Sequence, residues 1–169
     1  MLKAMSEEEQ APQVFSPTAE HAFLASQAGT WTVHCSYSMG PDVAPMEVEA
    51  TEQADMLGPF WLAARLEADM LGSPMHGHGS TGYDPVRKVY VATWKDSSNP
   101  FLYSFEGFHD QEENTLKLSG ENYDPMRCVR SIYRSHIQYI SDSEKRMNLS
   151  VEVDGGDVSH ILEYHYRRA

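Results

Sequence analysis

From Trp31 to its end, this chain alternates apolar and polar side chains with a period of two. Trp31, Val33, Cys35, Tyr37 and Met39 alternate with Thr32, His34, Ser36 and Ser38, the pattern of a strand with one buried face. Gly40-Pro41-Asp42 interrupts it. Met46, Val48, Ala50, Ala54 and Met56 then alternate with Glu47, Glu49, Thr51, Gln53 and Asp55. After Gly58-Pro59 the apolar phase runs through Phe60, Leu62, Ala64, Leu66, Ala68 and Met70. The same reading predicts strands over 74–83, 87–96, 101–109, 114–122, 127–140, 145–153 and 158–167. Turn signals separate them: Gly72-Ser73-Pro74, Asp84-Pro85, Ser98-Asn99-Pro100, Asp124-Pro125 and Asp154-Gly155-Gly156. Only the segment before Trp31 is helical in period. Ser16-Pro17 offers an N-cap followed by proline, Thr18 to Ala28 spans about three turns, and Gly29 ends them.

About ten strands joined by short links, with no helix between them, pair each with the next. A sheet of that length needs closure to hide its edges, so the predicted fold is an all-β, up-and-down antiparallel β-barrel with a short N-terminal helix. A two-sheet sandwich is the alternative, but sandwiches need longer crossing connections. Residues 16–169 form the single barrel domain on this reading, and the polar stretch 1–15 is a flexible N-terminal segment.

Composition narrows the partners. The 169 residues suffice for one core without disulfides or metals. With 13 Lys and Arg against 25 Asp and Glu, the formal net charge is −12, which repels nucleic acid and anionic membrane surfaces. The first twelve residues carry Glu7, Glu8 and Glu9 and no apolar core, so no secretory signal is read. The two cysteines, Cys35 and Cys128, lack metal-ligand spacing. A cytoplasmic protein, monomer or homodimer, with a small-molecule partner and reduced thiols is expected.

A barrel of this size is either filled by side chains or holds one small ligand, so polar residues on inward phases are informative. Glu52 lies in phase with Ala50 and Ala54: a cavity carboxylate, or an end or bulge position turned outward. His160 shares the phase of Leu162, Tyr164 and Tyr166: a general base or haem or metal ligand, or a core histidine satisfied by a hydroxyl. Trp94 and Asp96 share a face and fit a cavity mouth, with the indole as platform and the carboxylate as anchor; the bland reading makes Asp96 a turn cap. Tyr37, Tyr83, Tyr133 and Tyr139, with Met39, Met46, Met56 and Met70, compose an adaptable apolar pocket or an ordinary filling. His76 and His78 flank Gly77 and point to one face, a weak Zn²⁺ pair without a third ligand at convincing spacing. No nucleophile elbow, phosphate loop or dinucleotide fingerprint occurs.

Gly29-Thr30-Trp31 is the Gly-x-Trp that opens lipocalin-like (calycin) barrels after a short helix. The chain also carries His21-Ala22-Phe23-Leu24, Gly77-His78-Gly79-Ser80-Thr81-Gly82-Tyr83-Asp84 and Tyr90-Val91-Ala92-Thr93-Trp94-Lys95-Asp96-Ser97. Glu106-Gly107, Asp124-Pro125-Met126 and Glu163-Tyr164-His165-Tyr166-Arg167 follow. In this order, from about residue 17 onward, the blocks resemble the family catalogued as domain of unknown function 1579. The resemblance implies a lipocalin-like barrel and no particular activity or cofactor. The chain lacks the Arg-x-Tyr carboxylate clamp of fatty-acid-binding relatives. By analogy with nitrobindin-like barrels, an inward His160 is a haem-ligand candidate.

Four functions are therefore in play. The leading one is a binding module for a small apolar or amphipathic ligand, contacted by Glu52, Tyr83, Trp94, Asp96, Tyr133 and His160. The others are an enzyme with Glu52 or His160 as general base, a haem- or metal-binding barrel, and a filled scaffold for dimerisation.

Overall fold

The computed structural model describes residues 15–153 and 156–169. The expected flexible segment lies, apart from Phe15, outside them. One helix and ten strands follow each other: α1 (Ala19–Ser26), β1 (Gly29–Tyr37), β2 (Met46–Leu57), β3 (Trp61–Asp69), β4 (Pro74–Asp84), β5 (Val89–Asp96), β6 (Tyr103–Asp110), β7 (Thr115–Asp124), β8 (Val129–Ser141), β9 (Glu144–Glu152) and β10 (Val158–Arg168). Each strand pairs with the next, and β1 also pairs with β10, so the sheet closes into a barrel. Trp31 pairs with Arg168 on one side and with Glu52 on the other. No strand edge is left unpaired in this ring, which is how a chain so rich in strands avoids edge-to-edge association.

The alternation expected from the sequence sets the two faces of the wall. Trp31, Val33 and Cys35 of β1 and Val48, Ala50, Glu52 and Ala54 of β2 are buried inside, while the residues between them face out. At the turns, one short pattern occurs twice. Asp84 and Asp124 each accept the backbone N–H groups two and three residues ahead and pair with Arg87 and Arg127. Each turn then ends on a residue with positive φ, Lys88 at 57° and Cys128 at 56°. The carboxylate stands in for a backbone acceptor and frees the chain to reverse.

Helix α1 plugs one end of the barrel. It starts one residue later than the sequence suggested, with Thr18 rather than Ser16 at the N-cap. The reason is His21, whose Nδ1 accepts the Thr18 N–H at 2.9 Å while its Nε2 lies 3.2 Å from the Tyr83 carbonyl, tying the cap to β4. Leu24 is fully buried among Tyr90, Phe105 and Leu116, and Phe23 stacks on His109 at 4.5 Å. The C-terminus completes the plug. The Arg168 guanidinium lies over the Trp31 ring at 4.3 Å and donates to the carbonyls of Ala28, Ser26 and Asp142. The last turn of a helix leaves carbonyls without partners, and here an arginine from β10 satisfies the Ser26 carbonyl.

Two glycines hold a pinch in the wall. A Cβ on Gly107 would overlap the Lys117 carbonyl, and one on Gly120 the Ser104 carbonyl. Both obstacles are backbone and cannot swing away. Gly107→Ala and Gly120→Ala are each expected to cost about 2–3 kcal/mol, the scale of overpacking, with the midpoint of urea denaturation as the readout. Arg168→Ala is expected to cost about 2 kcal/mol by the same measurement, because the Ser26 carbonyl of α1, the Ala28 carbonyl just beyond it and the Trp31 face lose a charged partner. Arg168→Lys is expected to recover less than half, since an ammonium cannot fork.

Candidate functional site

Inward-facing polar groups collect at two levels of the lumen. At the open end, opposite α1, Trp94 of β5 lies across Gly77 and Gly79 of β4, where any Cβ would strike its ring. Its Nε1 donates to Asp96 Oδ2 at 2.9 Å, and Asp96 Oδ1 accepts the Ser98 N–H at 2.9 Å. Asp96 therefore caps the following turn and anchors the indole at once. Tyr103 and Tyr133 meet at 5.5 Å between ring centroids, and the hydroxyls of Tyr37 and Tyr164 bond to each other at 2.6 Å. Burial pushes the Tyr37 hydroxyl up to about 12, so it stays a neutral donor. The Cys35 thiol below it is likewise pushed up to about 12, chiefly by burial, which leaves it unreactive at neutral pH.

Near the closed end Glu52 faces inward, as its phase in β2 suggested, with 6% of its surface exposed. Its counter-charge is Lys145 of β9, 7% exposed, with Nζ 3.8 Å from Glu52 Oε1. The ammonium lies over the rings of Trp31 at 4.2 Å and Tyr166 at 4.8 Å. Burial raises the Glu52 carboxyl above the usual range and lowers the Lys145 ammonium, and each is opposed by the other's charge. Strand pairing places Lys145 between Tyr139 and Tyr166. Sequence reasoning missed Lys145, although it shares the apolar phase of Met147, Leu149 and Val151; a lysine there is the same signal that singled out Glu52.

Buried apolar residues fall into two groups on facing walls. One is built on β1–β4 and β10 around Trp31, Val33, Leu66 and Tyr164, the other on β5–β9 with α1 around Leu24, Phe105, Leu118 and Tyr133. Leu149 and Ile161 pack against both.

His160 requires correction. The register between β9 and β10 slips between His160 and Leu162, and the extra residue is Ile161. A bulge reverses the phase of everything before it, so His160 is exposed on the outer wall. It shares no pocket with Glu52 and offers the lumen neither a base nor a haem ligand. His76 and His78 are also exposed on the outer face, with Glu67 3.9 Å from His76. Among the described residues, no group of three His, Cys, Asp or Glu side chains is placed to hold a metal ion. Tyr83 lies by the plug, edge-on to His21 at 5.9 Å and tilted against Tyr90 at 5.0 Å. Of the methionines, Met46 and Met70 pack at the open end, Met56 lies near the plug, and Met39 is exposed in the loop beyond β1.

A surface depression of about 560 Å³ lies on the outside of the wall between Trp61, Val91, Thr93, Ser104 and Glu121. No residue singled out from the sequence lines it.

The family described as "Protein of unknown function (DUF1579)" matches residues 16–168. No curated protein matches. Among solved structures, the chain is similar to Rv2717c from M. tuberculosis, at 14% identity and a TM-score of 0.64, covering 91% of this chain and 99% of that one. It is also similar to the S-type phycobiliprotein lyase CPES from Guillardia theta, at 12% identity and a TM-score of 0.63, covering 89% and 92%. At these identities the likeness is one of fold.

Glu52→Leu and Lys145→Met are each expected to destabilise by about 3 kcal/mol, because each leaves a buried charge without its partner, and the double variant is expected to cost much less than their sum. Urea denaturation of the four proteins measures this. In Lys145→Met the raised Glu52 carboxyl holds its proton more tightly folded than unfolded. Stability is then greatest below the unfolded value of 4.5 and falls as pH rises through the folded value. A pH series of denaturation midpoints is expected to show that fall relative to the unsubstituted protein.

Proposed function

The chain belongs to the DUF1579 family, and from that premise we propose that it binds a small, largely apolar ligand in the lumen of the barrel. The ligand enters at the end opposite α1. One observation carries this reading: the buried apolar residues form two groups, one centred on β1–β4 and β10 and one on β5–β9, and only half-buried side chains such as Trp94, Leu62, Tyr83, Leu149 and Ile161 cross between the walls. A fully filled barrel of this size knits its inward layers together. Small inward residues on β2 and β3 (Ala50, Ala54, Ala64 and Ala68) keep the inner wall shallow there, while the half-buried Trp94 covers Gly77 and Gly79. Trp94, Tyr103, Tyr133 and the Tyr37–Tyr164 pair then offer aromatic faces to an apolar body, with Asp96 holding the indole in place. Apolar pockets with a few fixed polar groups are the common form of a small-molecule site. The shared fold with a protein named as a phycobiliprotein lyase is compatible with this use.

N-phenyl-1-naphthylamine, a neutral apolar fluorophore, is expected to bind saturably at one site per chain. Ala68→Phe, which fills the lumen, is expected to weaken it about tenfold or more. Thr93→Phe, in the outer depression, is expected to leave it unchanged. Loss of binding in Thr93→Phe with retention in Ala68→Phe would move the site to the outer wall. A fluorophore that never saturates would dismiss the reading.

A further inference from the structure

Glu52, Lys145, Tyr139 and Tyr166 are four inward polar side chains, all more than nine-tenths buried, drawn from β2, β9, β8 and β10. Buried polar groups almost always find hydrogen-bond partners. Here the Tyr139 and Tyr166 hydroxyls and the Glu52 carboxylate receive no hydrogen bond from any described residue, in contrast to Tyr37 and Tyr164, which bond each other; their polar atoms are not fully enclosed, the one fully enclosed side-chain atom without a partner among the described residues being Gln27 Oε1. The Glu52–Lys145 contact of 3.8 Å is also longer than the roughly 2.7–2.9 Å of a charge-assisted hydrogen bond. The ammonium is held back by the faces of Trp31 and Tyr166. An acceptor and a donor thus stand side by side, aimed inward, with unsatisfied capacity.

We propose that these four residues form a recognition floor for a neutral head group that presents a hydrogen-bond donor beside an acceptor, as a carboxamide or lactam does, on an otherwise apolar ligand. The charge balance selects the neutral head. Glu52 and Lys145 already neutralise each other, so an anionic or cationic head would bring an uncompensated charge into a poorly hydrated site. An amide brings none. Its N–H donates to the Glu52 carboxylate and its carbonyl accepts from Lys145 Nζ. The amide nitrogen and oxygen lie about 2.3 Å apart, close enough to span the two side chains together. Tyr139 and Tyr166 are the cross-strand neighbours of Lys145 on either side, and their hydroxyls supply further donors to the head group. The apolar remainder points along the lumen towards Trp94. This assignment rests on the lumen reading above and adds the chemistry of the head group to it.

The test displaces N-phenyl-1-naphthylamine from the intact protein with three ligands of one shape: 1-naphthaleneacetamide, 1-ethylnaphthalene and 1-naphthaleneacetate. The amide is expected to bind about tenfold tighter than either of the others, because a site built for hydrogen bonds penalises analogues that lack them. In the double variant Glu52→Leu/Lys145→Met, in which no buried charge is orphaned, the amide is expected to lose that advantage while 1-ethylnaphthalene stays within about twofold. Tyr139→Phe and Tyr166→Phe are each expected to cost the amide alone about threefold. Equal binding of amide and hydrocarbon by the unsubstituted protein, or an amide preference that survives the double variant, would overturn the recognition floor and leave lumen binding standing. The first result would also mean that water alone satisfies these groups. If no ligand displaces the fluorophore, or the fluorophore itself does not bind, the lumen reading falls and this assignment falls with it.

Discussion

The closure of β1 against both β2 and β10 is the constraint on which the rest of this molecule depends. An open sheet of ten strands would expose two edges and leave its apolar face half uncovered. The ring removes both problems, and it gives the wall an inside. Trp31 stands at the seam. It pairs with Arg168 and Glu52 through the backbone, its ring carries the Arg168 guanidinium, and the Lys145 ammonium also lies over that ring. The same residue therefore ties the ends of the chain together and shapes the polar floor.

Closure also decides what the polar residues are for. On an open sheet, a glutamate or lysine on the apolar face could reach water around an edge. Inside a ring plugged at one end by α1, Glu52 faces Lys145, and Lys145 faces the rings of Trp31 and Tyr166. Their burial carries a desolvation cost that a pair of well-packed apolar residues would avoid. The open end is built differently. Its polar groups are already spoken for, Asp96 by Trp94 and Ser98, and Tyr37 by Tyr164. That end offers aromatic surface, while the proposed floor would offer hydrogen bonds.

Much of this was legible in the residues. The two-residue alternation, broken at Gly40-Pro41, Gly58-Pro59, Asp84-Pro85 and Asp124-Pro125, marked the strands, their order and the inward face of nearly all of them. Its phase left Glu52 either inward or turned out by an end or bulge position, and the residue is buried inside. It failed at His160 for a specific reason: one inserted residue, Ile161, reverses the phase, and nothing in the local composition announces it. The metal reading of His76 and His78 depended on a third ligand from a neighbouring strand, and in three dimensions that strand contributes Glu67 and Arg65 on an open surface.

Taken alone, the sequence determined the strand pattern, the need for closure and which side chains compete for the interior, because alternation, turn chemistry and net charge are properties of neighbours along the chain. The tertiary structure decided which of those side chains meet. Lys145 reaches Glu52, although 93 positions separate them, because β9 is carried around the ring to a place where the two point into the same space. A period of two tells a residue which face it occupies but not what stands across the lumen. That is set by strand register and the curvature of the closed wall, which no short stretch of sequence contains.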